Sequence, residues 1–584
     1  MRRWSLVFRY IKPYWRWVAG GMVALFIANG AMLAAPLALA EGMKAIELPL
    51  DRGEPVDSDS VWYWALVGIG IAGVAAISSF GKRFLLIGTS RLIEADLRRD
   101  LYEHIERLPL SYLDATRTGD LMSRVTADIE AVRMAMGPSI MYLTDSVLLS
   151  IGVTAVMFTI NPVLTIWALT PLLGIAAGLF IFAPRIHRAS RDVQDRLAAI
   201  SARTQESFAG GRVVKTFATE DFESEEIDKL GRSYLEANVR LARVRGFTTA
   251  WTATMGAIAL ALILFVGGGQ VMRGEFTISG LLLFNSYQWM LVWPMIAFGW
   301  VLALVQRGAA GMDRVTDVMN LAREQDEGAQ PAGPDVSLSI RGLNFAYSSG
   351  PRVLEDISFD LPAGQTLGIV GPTGSGKSTL VSLLARLYEP PRGTVHIGGV
   401  DVHDLRLSDL RERIAMIPQE AFLYSTTIRE NVAFGRPDAP TTDIEKAVED
   451  ASLAKDLDQL PKRLETIVGE RGVTLSGGQK QRTTIARALA TDAPMLVLDD
   501  SLSAVDSETE SAVLGNLRHV REGRTAIIVA HRVSAVRDAD HIIHLRDGRV
   551  TEQGTHAELL ELDGDYAQMA RAQALEDEIE AMEP

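Results

Sequence analysis

The sequence predicts two unlike domains in series: an all-α domain of six membrane-spanning helices with long cytoplasmic extensions, then an α/β domain built around a phosphate-binding loop. Three observations carry this. Six long apolar runs fall within residues 17–306. A strand-like run, a glycine-rich loop and a helix-like run follow one another over residues 366–387. A second apolar strand-like run, 495–499, ends in the carboxylate of Asp499.

Composition sets the outer bounds. Of 584 residues, 48% are apolar and 22% charged, an average that hides a hydrophobic first half and an ordinary soluble second half. A net charge of −14 argues against a nucleic-acid partner, which would require a basic face. With 0 Cys, disulfides, thiol chemistry and cysteine-type zinc sites are excluded.

A helix needs about 20 apolar residues to cross a bilayer core of about 30 Å. Residues 17–40, 61–88, 139–160, 163–184, 247–269 and 277–306 qualify. The first run is too long for the apolar core of a signal peptide and is read as a retained span. Basic residues concentrate before span one (Arg9, Lys12, Arg16), after span two (Arg91, Arg98, Arg99, Arg107) and after span four (Arg185, Arg188, Arg191, Arg196). The loop after span one is acidic, with Glu41, Glu47, Glu54, Asp57 and Asp59. The positive-inside rule then puts both termini and both long loops in the cytoplasm, giving a multi-pass protein of the cytoplasmic (inner) membrane.

Residues 1–16 alternate basic positions with Trp4, Phe8, Tyr10 and Trp15, the pattern of an amphipathic elbow helix in the interface, with a break expected at Pro13. Residues 17–320 form the membrane domain. Its cytoplasmic segments, 90–137 and 185–245, are helical in pattern, punctuated at Pro109, at Gly119 and at Gly210-Gly211. A helix of about 25 residues spans about 40 Å, so these segments carry the spans well into the cytoplasm and back. Residues 321–334 read as a Pro- and Gly-containing linker, 335–573 as the soluble domain, and 574–584 as an acidic tail expected to fray.

The soluble half carries the chemistry. Gly371-Pro372-Thr373-Gly374-Ser375-Gly376-Lys377-Ser378-Thr379 is a P-loop in its confirming strand–loop–helix context. Its glycines turn successive N–H groups toward phosphate oxygens, and the helix start adds its positive end. Lys377 is a point charge for the β- and γ-phosphates, and the Ser378 hydroxyl is placed to ligate Mg²⁺. Asp499, at the end of its strand, falls beside the same Mg²⁺. Leu475-Ser476-Gly477-Gly478-Gln479 precedes a helical pattern, with Ser476 as cap and two glycines exposing N–H groups: a second anion-binding helix start in one chain.

With these motifs the chain resembles an ATP-binding cassette (ABC) exporter half-transporter, of the multidrug or antigen-peptide kind, over nearly its whole length. The resemblance implies an α/β P-loop NTPase cassette behind the six spans, with ATP and Mg²⁺ as cofactors. It implies that Tyr347 stacks on adenine, that Gln419 joins the Mg²⁺ shell, and that His531 contacts the γ-phosphate. It implies that Leu475–Gln479 and Asp506 act on the ATP of a second cassette. Thr466–Gly472 resembles a loop found in exporters. The stretches around Asp114 and Arg212–Glu220 resemble the two cytoplasmic coupling regions.

One position departs from the pattern. The family places Glu after the strand-end Asp, as general base toward the attacking water; this chain has Asp500. Aspartate is one methylene shorter, and a misplacement of about 1 Å costs on the order of 10²-fold in rate. The expectation is a site that binds ATP and hydrolyses it slowly, within a heterodimer whose other half supplies the Glu.

Span six carries Tyr287, Trp289 and Trp293, which line a cavity for an amphipathic molecule or else face lipid. Asp145 lies inside span three, where an acid is a functional candidate by default: it favours cationic substrates or pairs with a partner-chain residue. A drug, peptide or lipid exporter is the leading expectation. A lipid flippase of the same architecture and an ATP-gated channel or regulator are the rivals.

Overall fold

The computed structural model describes residues 9–582, apart from 327, 329, 349, 470, 471, 473, 502–512, 514, 517 and 520–522. The chain forms two compact units, residues 1–107 with 116–321, and 108–115 with 322–584.

Among the described residues of the first unit, six helices are long and apolar enough to cross a membrane. They run through α1 (Trp15–Asp51), α2 (Ser58–Glu106), α4 (Pro138–Ile160), α5 (Pro162–Ala209), α7 (Glu220–Leu262) and α8 (Ile278–Met319). The short helix α6 (Gly211–Phe217) marks a turn between long helices, and α3 (Leu110–Ala115), which follows α2 in the chain, belongs to the second unit. The helix breaks fall at the Pro109 and Gly210 punctuations read in the sequence. A 3-10 turn over Lys12–Tyr14 stands at the break expected at Pro13; the elbow residues before Arg9 lie outside the described set.

Helix starts are fixed by local chemistry. The Asn161 side chain accepts the Leu164 N–H (3.0 Å) with Pro162 at the first helical position, so α5 begins within one residue of the end of α4. The start of α8 has two acceptors. Thr277 takes the Gly280 N–H (3.1 Å), and Glu47 from the end of α1 takes the Ile278 and Ser279 N–H groups (2.8 and 3.0 Å). A carboxylate at a helix N-terminus complements the dipole as it caps, and here it also ties α1 to α8.

The C-terminal part of α8 packs tightly on the helical stretch 128–136. A Cβ on Gly308 would lie 2.2 Å from Ala135 Cβ, and one on Gly311 would lie 2.8 Å from the Asp128 carbonyl oxygen. One turn on, the Arg314 Nε donates to Asp128 (2.8 Å). Gly308→Val should overpack this contact and lower the unfolding temperature, at a cost of about 1–3 kcal/mol; an unchanged Tm would show that the arms separate freely there.

The second unit has two sheets. The antiparallel one has the order β2-β1-β4-β5, with β1 (Leu338–Ala346), β2 (Arg352–Leu361), β4 (Val395–Ile397) and β5 (Val400–Asp401). The other has the order β10-β9-β3-β8-β7-β6, with β3 (Thr366–Val370), β6 (Ile414–Ile417), β7 (Met495–Asp499), β8 (Thr525–Val529), β9 (His541–Arg546) and β10 (Arg549–Gly554). Every residue of β3, β7 and β8 is buried, which explains why they read as unbroken apolar runs rather than alternating ones. Three helices matter below: α9 (Lys377–Leu384), α10 (Gly477–Ala490) and α11 (Asp565–Met582). The last continues through the segment where fraying was expected: 574–582 is helical, carried on from a start that is anchored by the fully buried Tyr566 and Ala567.

Candidate functional site

Parallel sheets bind ligands beyond the carboxyl ends of their strands. In the larger sheet, β3, β8, β7 and β6 are consecutive neighbours and mutually parallel, so their ends share one edge. Beyond β3 comes the loop Gly371–Gly376, beyond β8 His531, at the end of β7 Asp499 and Asp500, and beyond β6 Gln419. Residues from four distant stretches thus converge. A cavity of about 250 Å³ is lined by Thr373, Gly374, Lys377, Ser378, Gln419, Asp500 and His531, among others.

The loop needs its glycines. Gly371, Gly374 and Gly376 have φ of 145°, 83° and 100°, a region closed to most side chains, and a Cβ on Gly371 would lie 2.0 Å from the Leu545 carbonyl oxygen. Lys377 opens α9 and folds back, its Nζ donating to the carbonyls of Gly371 (2.8 Å) and Pro372 (3.0 Å). Burial holds the Lys377 ammonium below its ordinary pKa, against the pull of Asp500 and Asp499. Burial likewise pushes the Asp499 carboxyl up, opposed by a hydrogen bond from Ser378 Oγ (2.9 Å). Both charges are thus uncomfortable alone. A polyphosphate beside Lys377 and a divalent cation between Ser378 and Asp499 would relieve both. Among the described residues the buried Ser375 Oγ has no partner, one more orphan suited to a phosphate oxygen. The donor set therefore fits Mg²⁺ with a nucleoside triphosphate.

Asp500 sits at φ 43°, its N–H bonded to the Val529 carbonyl (3.0 Å). Its Oδ2 lies 3.4 Å from Gln419 Nε2 and 3.7 Å from His531 Nε2. Asp500, Gln419 and His531, read in the sequence as general-base position, Mg²⁺ ligand and γ-phosphate contact, are thus together. Tyr347 follows β1; its hydroxyl is 3.0 Å from Thr379 Oγ1 and its ring meets Phe345 and Tyr388 edge-on at 5.1 and 4.9 Å. The Tyr388 hydroxyl donates to Asp114 on α3. Sequence reasoning passed over Tyr388, which no phosphate motif flags.

The helix start at Ser476, read in the sequence as a second anion site, is capped but stands apart. Ser476 caps α10: its Oγ accepts the Gln479 N–H (3.3 Å) and its own N–H donates to Gln479 Oε1 (3.0 Å). A Cβ on Gly477 would meet no atom within 4 Å, so a ligand can approach the backbone there. None of Leu475, Ser476, Gly477, Gly478 or Gln479 lines the cavity of Lys377. Asp506, and with it Glu470 and Arg471 of the exporter-type loop, lies outside the described residues.

Fold and cavity define an ATP-binding cassette fused to six membrane helices. Residues 18–295 match the family described as ABC transporter transmembrane region, and residues 354–503 the family described as ABC transporter. The chain is 34% identical to a probable multidrug resistance ABC transporter ATP-binding/permease protein of Bacillus subtilis, over 97% of each. It is 33% identical to an ATP-dependent lipid A-core flippase of Chromohalobacter salexigens, over 98% of this chain and 99% of that one. The structure of a bacterial Atm1-family ABC exporter with ATP bound superposes with TM-score 0.77 at 26% identity, covering 96% and 98% of the two chains. The chain belongs to the ABC transporter family, with the exporter arrangement of membrane and nucleotide-binding domains in one polypeptide. Its general function is ATP-driven export across a membrane, with ATP and Mg²⁺ at the cassette.

The candidates in the membrane half fare differently. Asp145 is already paired within the chain. Its Oδ1 accepts from Lys82 Nζ (2.7 Å) on α2 and from Asn29 Nδ2 (2.7 Å) on α1, and the Lys82 side chain is only 7% exposed. A free anionic site for cations is therefore not what the geometry offers, and the pairing needs no second chain. Lys82 was overlooked in the sequence, although a lysine inside an apolar run is as telling as an aspartate. Tyr287 is fully buried and its hydroxyl donates to the Leu33 carbonyl (2.6 Å); it ties α8 to α1 rather than lining a cavity. Trp289 does line one, a pocket of about 660 Å³ between α5, α7 and α8 with Thr248, Thr252 and Ile296; Trp293 is not among its lining residues.

Proposed function

We propose that the chain is one half of a heterodimeric exporter of amphipathic solutes in which its own composite ATP site is degenerate. Asp500 carries this reading. A carboxylate one methylene short of the family's Glu stands where the attacking water is to be activated, while Lys377, Ser378, Asp499, Gln419 and His531 are all in place around it. In this reading the chain holds ATP as a clamp. Its Ser476–Gln479 helix start, apart from its own cavity, completes the site of an unlike partner that carries the Glu.

Binding of ATP closes the two cassettes, the helical arms carry the closure to the spans, and hydrolysis in the partner's site resets them. Both termini lie in the cytoplasm, as the basic loops require. An amphipathic substrate, whether drug-like, peptide or lipid, is supported by the pocket of about 660 Å³, within the usual range for small-molecule sites. It is supported too by relatives named for multidrug resistance and for lipid flipping.

The test is ATPase activity of the lone chain in liposomes, alone and with an unlike half-transporter. Expected are slow turnover alone, restoration by the partner, and a gain on the order of 10²-fold in the lone chain with Asp500→Glu. Robust turnover by the unaltered lone chain would refute the degenerate-site reading. Headgroup-stimulated ATPase in the restored pair would favour a flippase, and flux without turnover a channel.

A further inference from the structure

The loop that carries His531 is held from the far end of the chain. The last sheet bond of this stretch is the Ala530 N–H to the Ile369 carbonyl (3.1 Å), and a short 3-10 turn begins at Val533. Between them, one side chain on α11 grips the backbone on both sides of the intervening residue. Gln573 Nε2 donates to the His531 carbonyl oxygen (2.7 Å), and Gln573 Oε1 accepts the Val533 N–H (2.7 Å).

The chemistry of this grip is specific. A primary amide has a donor and an acceptor on one planar group and can serve a carbonyl and an N–H two residues apart. Glutamate of the same length would keep the bond to Val533 and set a negative charge against the His531 carbonyl. Leucine would make neither bond. Val533 and Ala535 are buried in the core, so the turn beyond the loop is fixed, while the His531 side chain is 39% exposed on the cavity of Lys377. The amide therefore sets where the imidazole stands without touching the cavity itself.

We infer that Gln573 is a positioning residue for His531, so that the C-terminal helix sets how strongly the cassette prefers ATP to ADP. This rests on the reading of His531 as the γ-phosphate contact. Because ADP lacks that phosphate, a displaced imidazole weakens the triphosphate alone, whether or not the site hydrolyses it.

The full-length chain in lipid nanodiscs, with Mg²⁺, is titrated with a non-hydrolysable ATP analogue and with ADP. Gln573→Leu is expected to weaken the analogue about fivefold to tenfold while ADP affinity moves less than about twofold. Gln573→Glu, which preserves length and the Val533 bond, should shift the ratio in the same direction. His531→Ala serves as reference, and Gln573→Leu added to it should change nothing further. If His531→Ala leaves the ratio unchanged, the γ-phosphate reading fails and takes the inference with it. If His531→Ala lowers the ratio and neither Gln573 variant does, the inference alone is overturned. Equal weakening of both nucleotides, or full additivity with His531→Ala, overturns it as well.

Discussion

Asp145→Leu is expected to destabilise the membrane domain by about 3–5 kcal/mol, because it leaves Lys82 buried with no carboxylate. The Lys82 ammonium is almost wholly enclosed, and Asp145 Oδ1 is its acceptor at 2.7 Å. Low dielectric makes an unpaired charge expensive, whereas removing both members leaves no charge, and the Asn29 amide keeps its bond to the Leu25 carbonyl (3.0 Å). The double variant Lys82→Met/Asp145→Leu is therefore expected to regain most of the loss. Thermal unfolding of the detergent-solubilised full chain measures this. If the single and double variants melt together, the pair is not energetically coupled. Transport should follow stability if the triad with Asn29 only braces α1, α2 and α4.

Lys377→Ala is expected to weaken ATP on the order of 10²-fold and to abolish stimulated ATPase in the assembled transporter. The folded protein should tolerate the change. The pKa of Lys377 is lowered by burial, so in the ligand-free state its charge opposes folding at every pH below that lowered value. Among the described residues, its side-chain bonds there are to two carbonyls of its own loop. A Tm no lower than that of the parent, with affinity lost, is the expected pair of results. A large fall in Tm would recast Lys377 as a structural residue of the loop.

The cassette was legible in sequence because its chemistry is local. A phosphate loop needs several glycines, a lysine and a hydroxyl within nine positions, since one turn of backbone must wrap one anion. Asp499 was legible because a fully buried strand leaves a carboxylate conspicuous at its end. The spans were legible because a bilayer demands length. What escaped the sequence was side-chain partnership across helices. Asp145 stood out as an intramembrane acid, yet its partner lies 63 positions earlier, and helical periodicity says nothing of which helix faces which. Tyr287 and Trp289 are two positions apart and equally aromatic; only the packing of α8 sends one to the core and the other to a pocket. Gln573 lies in a stretch of ordinary helix formers, and nothing in its neighbourhood marks an amide that bridges two backbone groups 42 and 40 positions away.

The segment Leu108–Ala115 has a practical consequence for how this protein can be divided. It folds as part of the cassette's unit, with Asp114 taking the Tyr388 hydroxyl, although in the chain it belongs to the arm of the second span. A soluble fragment cut at Ala322 would thus be born with a piece missing. Tyr388, the edge-on neighbour of Tyr347, would face water with its acceptor gone. Nucleotide affinities measured on such a fragment would describe a trimmed object, and chimaeras joined at the linker would inherit a cassette whose eight-residue supplement comes from the foreign half. The seam that is easiest to cut genetically does not coincide with the boundary of this compact unit.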